Sequence, residues 1–113
     1  MESETSLRGV ELHILLSVVD QPRHGYAILQ EAEARTDGRP GFEIPTLYRA
    51  LRRLRDADLI RAVDPPSAAP DERRDYWEAT SLGRRALDAE LTRLEAAVAI
   101  GRARMRRPAK GRK

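Results

Sequence analysis

The residues best suited to chemistry in this chain are arginines at helical spacing. Arg49, Arg52 and Arg53 stand at i, i+3 and i+4, and Asp56 completes the row at i+7, so all four share one face of a helix. A guanidinium offers a planar fork of N–H donors that fits a guanine edge or a phosphate in a bidentate way. Thr46 and Tyr48 lie in the first turn of the same segment, where unpaired helix N–H groups favour a phosphate. The same row is also what the plain solvated face of an amphipathic helix looks like. A second basic cluster bears on the choice. Arg73 and Arg74 open the second strand of an expected hairpin, the one element able to reach neighbouring phosphate.

Other chemistries find little support. The chain has no cysteine, hence no disulfide framework, thiolate metal site or Cys nucleophile. His13 and His24 are its two histidines and make a poor basis for a metal site; they read as an interface or surface residue and a helix-start residue. There is no Gly-rich phosphate loop and no Ser/His/Asp set at a recognised spacing, so no enzyme and no cofactor is expected. Trp77, the only Trp, and Tyr76 read as hairpin packing in preference to ligand contact.

The elements that must hold these residues follow from periodicity. Residues 5–20 show helical spacing with two apolar stripes: Leu7, Val10, Ile14 and Val18, and Leu12, Leu15, Leu16 and Val19. A surface helix needs one stripe, so the second, with Leu12 and Leu15, calls for a partner. A second helix is expected over His24–Thr36, then a turn-rich break at 37–42. Pro45 suits the first turn of a third helix, in which Leu47, Leu51 and Leu54 form the buried stripe opposite the arginines. Residues 59–63 and 73–79 read as the two strands of a hairpin, with 64–72 as its loop. Thr80 or Ser81 caps a last helix running to about Arg107. Its Leu87, Leu91, Leu94 and Val98 form a heptad-like seam that wants a partner helix.

Length and charge agree with one small domain. The chain has 113 residues and a formal net charge of +3, within the usual single-domain range. The charge divides unevenly: residues 1–100 carry net −4 and residues 101–113 net +7. The high overall basicity therefore belongs to the tail and is no evidence that the folded body binds nucleic acid. The acidic N-terminus is unlike a signal peptide, and no run approaches the ~20 apolar residues of a membrane span. A cytoplasmic protein with no membrane partner is expected.

Four segments carry a resemblance. P-R-H-G-Y-A-I at 22–28, T-L-Y-R-A-L-R-R-L at 46–54, L-I at 59–60 and R-R-D-Y-W-E-A-T-S-L-G-R at 73–84 resemble, in order and spacing, the PadR family of bacterial transcriptional regulators. The likeness covers about residues 7–105 and fits the shorter branch, with a single C-terminal helix. It implies a mainly α (α+β) winged helix-turn-helix with a long C-terminal dimerisation helix packed on the partner's first helix. It also implies a repressor bound as a homodimer to a palindromic operator in double-stranded DNA. By position it puts Thr46, Tyr48 and Arg49 on the recognition helix and Arg73 and Arg74 on the wing; Arg52 and Arg53 join them from helical spacing.

The implied organisation is a DNA-binding domain over 1–80, a dimerisation helix over 81–107 and a disordered basic tail at 108–113. Departures from the family pattern also carry expectations. Pro45 replaces a frequent Gly, Arg49 a frequent Pro, and Asp58 stands where Gly is usual before Leu-Ile, which points to backbone strain at a helix end. Some members hold planar molecules on aromatic residues of the last helix; here 81–107 has no aromatic residue, so such an inducer slot is not supported. The rival reading is a dimeric helical interaction module whose basic face and tail bind a protein or RNA.

Overall fold

The structure, a computed structural model, describes residues 7, 9–36, 43–66 and 75–107. The elements run α1 (Gly9–Val18), β1 (Arg23–His24), α2 (Gly25–Arg35), α3 (Ile44–Asp56), β2 (Ile60–Val63), β3 (Tyr76–Ala79) and α4 (Ser81–Arg106). The strands form one antiparallel sheet in the order β1-β3-β2. The fold is thus mainly helical with a small sheet, as a winged helix requires. Arg73, Arg74 and the 108–113 tail lie outside the described residues.

One core serves the whole body. Ile14, Leu15 and Val18 of α1 meet Ile28 of α2, Leu47, Ala50, Leu51 and Leu54 of α3, Ile60 and Trp77 of the sheet and Leu87 of α4. The three leucines at helical spacing in 44–56 are all buried, and Arg49, Arg52 and Arg53 face outward. Helix α1 is buried on more than one side, and even its Ser17 is enclosed.

Two residues expected at a dimer interface belong to this core instead. Leu15 is 0 % and Leu87 4 % exposed within the protomer. The physical reason is that α4 starts against the body and then leaves it, so the first position of its heptad seam is used internally. Leu12 remains half-buried, and Leu91, Leu94 and Val98 are exposed.

The sheet contains a strand that periodicity did not foresee. β1 is two residues long, pairing Arg23 with Trp77 and His24 with Tyr76, too short for any alternation to register. His24 ends the strand and caps α2, its Nδ1 accepting a hydrogen bond from the Ala27 N–H at 3.1 Å.

Around Thr80 the wing is joined to α4. Its Oγ1 accepts from the Gly83 N–H at 2.9 Å and donates to the Asp58 carbonyl at 2.6 Å, and its N–H donates to the Leu59 carbonyl at 3.1 Å. A methyl group on Gly83 would lie 2.0 Å from that same Leu59 oxygen, so the helix approaches this closely only with glycine there. Asp58 itself has φ 65°, in the left-handed region that costs a side-chain-bearing residue roughly 1–2 kcal/mol. The strain expected from Asp in a Gly position is therefore present. Asp58→Gly is expected to raise stability by about 0.5–1 kcal/mol after the added freedom of the unfolded chain is subtracted; an unchanged or lower thermal midpoint would contradict it.

Candidate nucleic-acid interface

Helix α3 enters the surface with Pro45 near its start and with Glu43 as an N-cap whose side chain makes no capping bond. Its first N–H groups are therefore not occupied by their own cap. Thr46 is half-buried, and Tyr48 is exposed with its hydroxyl laid over Gly25 of α2. A side chain on Gly25 would meet that hydroxyl at 2.6 Å, so glycine at this place lets the Tyr48 ring rest against α2.

The five arginines between 45 and 61 separate into two groups once their partners are counted. Arg53 Nε donates to Glu11 Oε2 at 2.9 Å. Arg55 bonds the neighbouring Asp56 at 3.1 Å, and Arg61 bonds Glu78 across the sheet at 2.7 Å. Among the described residues, Arg49 makes only a 3.3 Å hydrogen bond to the Thr46 hydroxyl. Arg52 has no bonded partner among the described residues. Among the described residues, two neighbouring cations on one exposed face therefore lack a carboxylate, and the other three are each paired.

Arg53, grouped by spacing with the DNA-facing residues, is thus engaged by α1. The pair is asymmetric: its arginine side chain is 42 % exposed and its glutamate 10 %. A nearly buried carboxylate needs such a partner, and the bond ties α3 to α1. The sequence held a signal for this, since Glu11 is the one acid within 7–19, the span of the two apolar stripes.

A second polar network braces α1 and α2 behind this face. Arg35 donates to the Ser17 hydroxyl at 3.1 Å and to the His13 carbonyl at 3.0 Å, and its guanidinium lies 3.3 Å from His13 Nδ1. Glu31 joins Arg35 and Arg23 at 3.9 and 3.7 Å. Burial, reinforced by the Arg35 charge, lowers the His13 pKa from 6.5. A group whose pKa falls on folding binds more protons when unfolded, so its contribution is full above 6.5 and is lost as pH falls through the lowered value. Thermal stability is therefore expected to decline on acidification across the imidazole range, and His13→Gln to flatten that decline. An identical slope in the variant between about pH 5 and 7 would contradict the assignment.

The geometry is that of a helix packed in the core on one face, with two guanidinium groups on its outer face that have no carboxylate among the described residues. A family model described as "Transcriptional regulator PadR-like family" matches residues 14–89, about two thirds of the chain. The chain belongs to this family. It is accordingly a DNA-binding transcriptional regulator. No curated protein gives a significant match.

Solved structures agree with this PadR-like fold. A PadR family transcription regulator from Clostridium difficile R20291 superposes with a TM-score of 0.71 at 19 % identity, covering 85 % of this chain and 97 % of its own. A PadR-like regulator from Bacillus cereus ATCC 14579 gives 0.75 at 17 % identity, with 88 % and 93 % covered. A transcriptional regulator from Clostridium thermocellum gives 0.69 at 22 % identity, with 83 % and 87 % covered. At such identities the likeness speaks for the fold. Among the described residues, no cluster of His, Asp and Glu could hold a metal, and no helix is long and apolar enough to cross a membrane.

Proposed function

We propose that this PadR-like regulator is a homodimeric repressor of a palindromic operator, with α3 of each subunit in a major groove. The observation that carries the reading is the pair Arg49 and Arg52, the two cations of the α3 face without a carboxylate partner among the described residues. An unpaired guanidinium enters a groove without first breaking an ion pair, and its fork suits guanine O6 and N7. Thr46 and Tyr48 in the first turn suit backbone phosphate, and Arg73 and Arg74 would extend the contact along the wing. In this reading the body to residue 80 binds DNA, 81–107 dimerises, and the basic 108–113 tail adds unspecific attraction.

Dimerisation is supported by α4. From Leu91 to Ile100 every residue is exposed, including Leu91, Leu94, Val98 and Ile100. An apolar stripe on a helix projecting from its own body is stable in water when another helix covers it, and a second copy supplies the same stripe.

The test is selection of genomic fragments by the purified protein. Recovery of an inverted repeat with half-site centres about 10 bp apart, or a multiple of that, is expected. Binding should weaken steeply with salt yet keep its preference for that repeat. Enrichment of no sequence, or of one without two-fold symmetry, would overturn the reading.

A further inference from the structure

Among the described residues, exposed large apolar side chains occur in two places. Six stand on α4, and the other three are Tyr26, Ile44 and Tyr48, at 49 %, 52 % and 43 % exposure. These three border one cavity of about 370 Å³ between α2, the start of α3 and β3. A single apolar residue on a surface is ordinary, but a patch of them marks a contact. This patch lies at the entering end of the helix that carries Arg49 and Arg52.

Helical spacing ties the patch to those cations. Ile44, Tyr48 and Arg52 stand at i, i+4 and i+8, one row along α3, with Pro45 and Arg49 exposed beside it. The row thus changes from apolar to cationic along its length. Tyr48 is held with its hydroxyl against Gly25. Ile44, the most exposed of the three, is the one best placed to reach outward.

An isoleucine side chain neither donates nor accepts a hydrogen bond. In the major groove the base pairs offer donors, acceptors and one apolar group, the C5 methyl of thymine. The geometry points to Ile44 as a specificity-determining residue that packs on a thymine methyl in each operator half-site, next to guanines met by Arg49 and Arg52. This assignment rests on the DNA reading above and adds to it a base recognised by shape. Ile44 precedes Arg49 by five residues and Arg52 by eight, about 7.5 and 12 Å along a helix rising about 1.5 Å per residue. Base pairs stack about 3.4 Å apart, so the thymine lies roughly two to four base pairs from the guanines.

The operator recovered by genomic selection supplies the probe. Each of its thymines is replaced in turn by deoxyuridine, which pairs identically and lacks only the methyl. Binding of the full chain is followed by fluorescence anisotropy. At one thymine per half-site the loss should be about fourfold, and about fifteenfold with both halves changed, from one buried methyl each. Ile44→Ala should bind the thymine operator more weakly and should no longer distinguish thymine from deoxyuridine there. Ile44→Val, which keeps a branched apolar side chain, should retain most of the difference. Affinity for an unrelated duplex should be the same for all three proteins, which separates lost base reading from lost fold.

Equal affinity for thymine and deoxyuridine at every position would overturn the assignment, and so would an Ile44→Ala variant that still prefers thymine. Either result leaves the DNA reading standing and gives the patch to a protein partner. Recovery of no operator would overturn the DNA reading and this assignment with it.

Discussion

Glutamate at both Leu91 and Leu94 is expected to yield a monomer in sedimentation, at concentrations where the unaltered protein is a dimer. These side chains are 37 % and 40 % exposed in the protomer, so the body loses little packing when they change. In a two-fold interface each substitution occurs twice, facing the apolar stripe of the other copy. A buried carboxylate without a partner costs about 3–5 kcal/mol, which weakens association more than a hundredfold for even one such charge. The monomer should keep the thermal transition of its core, since Leu15 and Leu87 stay enclosed at 0 % and 4 % exposure. It should also lose the affinity gained by holding two half-sites at once. A variant that sediments as the unaltered protein does, or an unaltered protein that is itself monomeric, would refute the α4 assignment.

Much of this architecture was legible because strong periodicities had a single meaning. Leu47, Leu51 and Leu54 lie opposite Arg49, Arg52 and Arg53 on any helix, and Pro45 allows only one direction of growth. Thr80 and Ser81 are both cap candidates by sequence and Thr80 is the cap, and the family resemblance, which sets Gly before Leu59, predicted a strained backbone that φ 65° at Asp58 confirms. What stayed hidden depends on contacts between distant segments. The Glu11–Arg53 pair joins residues 42 positions apart, so helical spacing alone grouped Arg53 with residues that have no such anchor. The α4 seam is regular from Leu87 to Val98, and nothing in its spacing marks where the helix leaves the body. Gly83 is read as a motif letter until the Leu59 carbonyl is seen beneath it. The cavity beside Trp77 draws its walls from α2, α3 and β3, which no single stretch of sequence brings together.

Alanine at Arg49 or at Arg52 is expected to weaken operator binding by about 1–3 kcal/mol each if the side chain reads a base, and to relax preference at one operator position. A residue on phosphate instead lowers affinity for all sequences alike and reduces the salt slope by about one. The two stand one helical turn apart, so the double variant should fall short of the sum of the single effects. Arg53→Ala separates this reading from a merely basic face. Its guanidinium holds Glu11, whose side chain is 10 % exposed, and removing it takes a charge-assisted bond from a nearly buried carboxylate, at a cost of about 1–2 kcal/mol after allowance for the exposed arginine. That variant should therefore lose thermal stability while its operator choice is kept. If Arg53→Ala weakened binding as much as Arg49→Ala and Arg52→Ala, summed charge would govern affinity and pairing would not. If Arg49→Ala and Arg52→Ala both left a salt titration of operator binding unchanged, α3 would not be the reading helix.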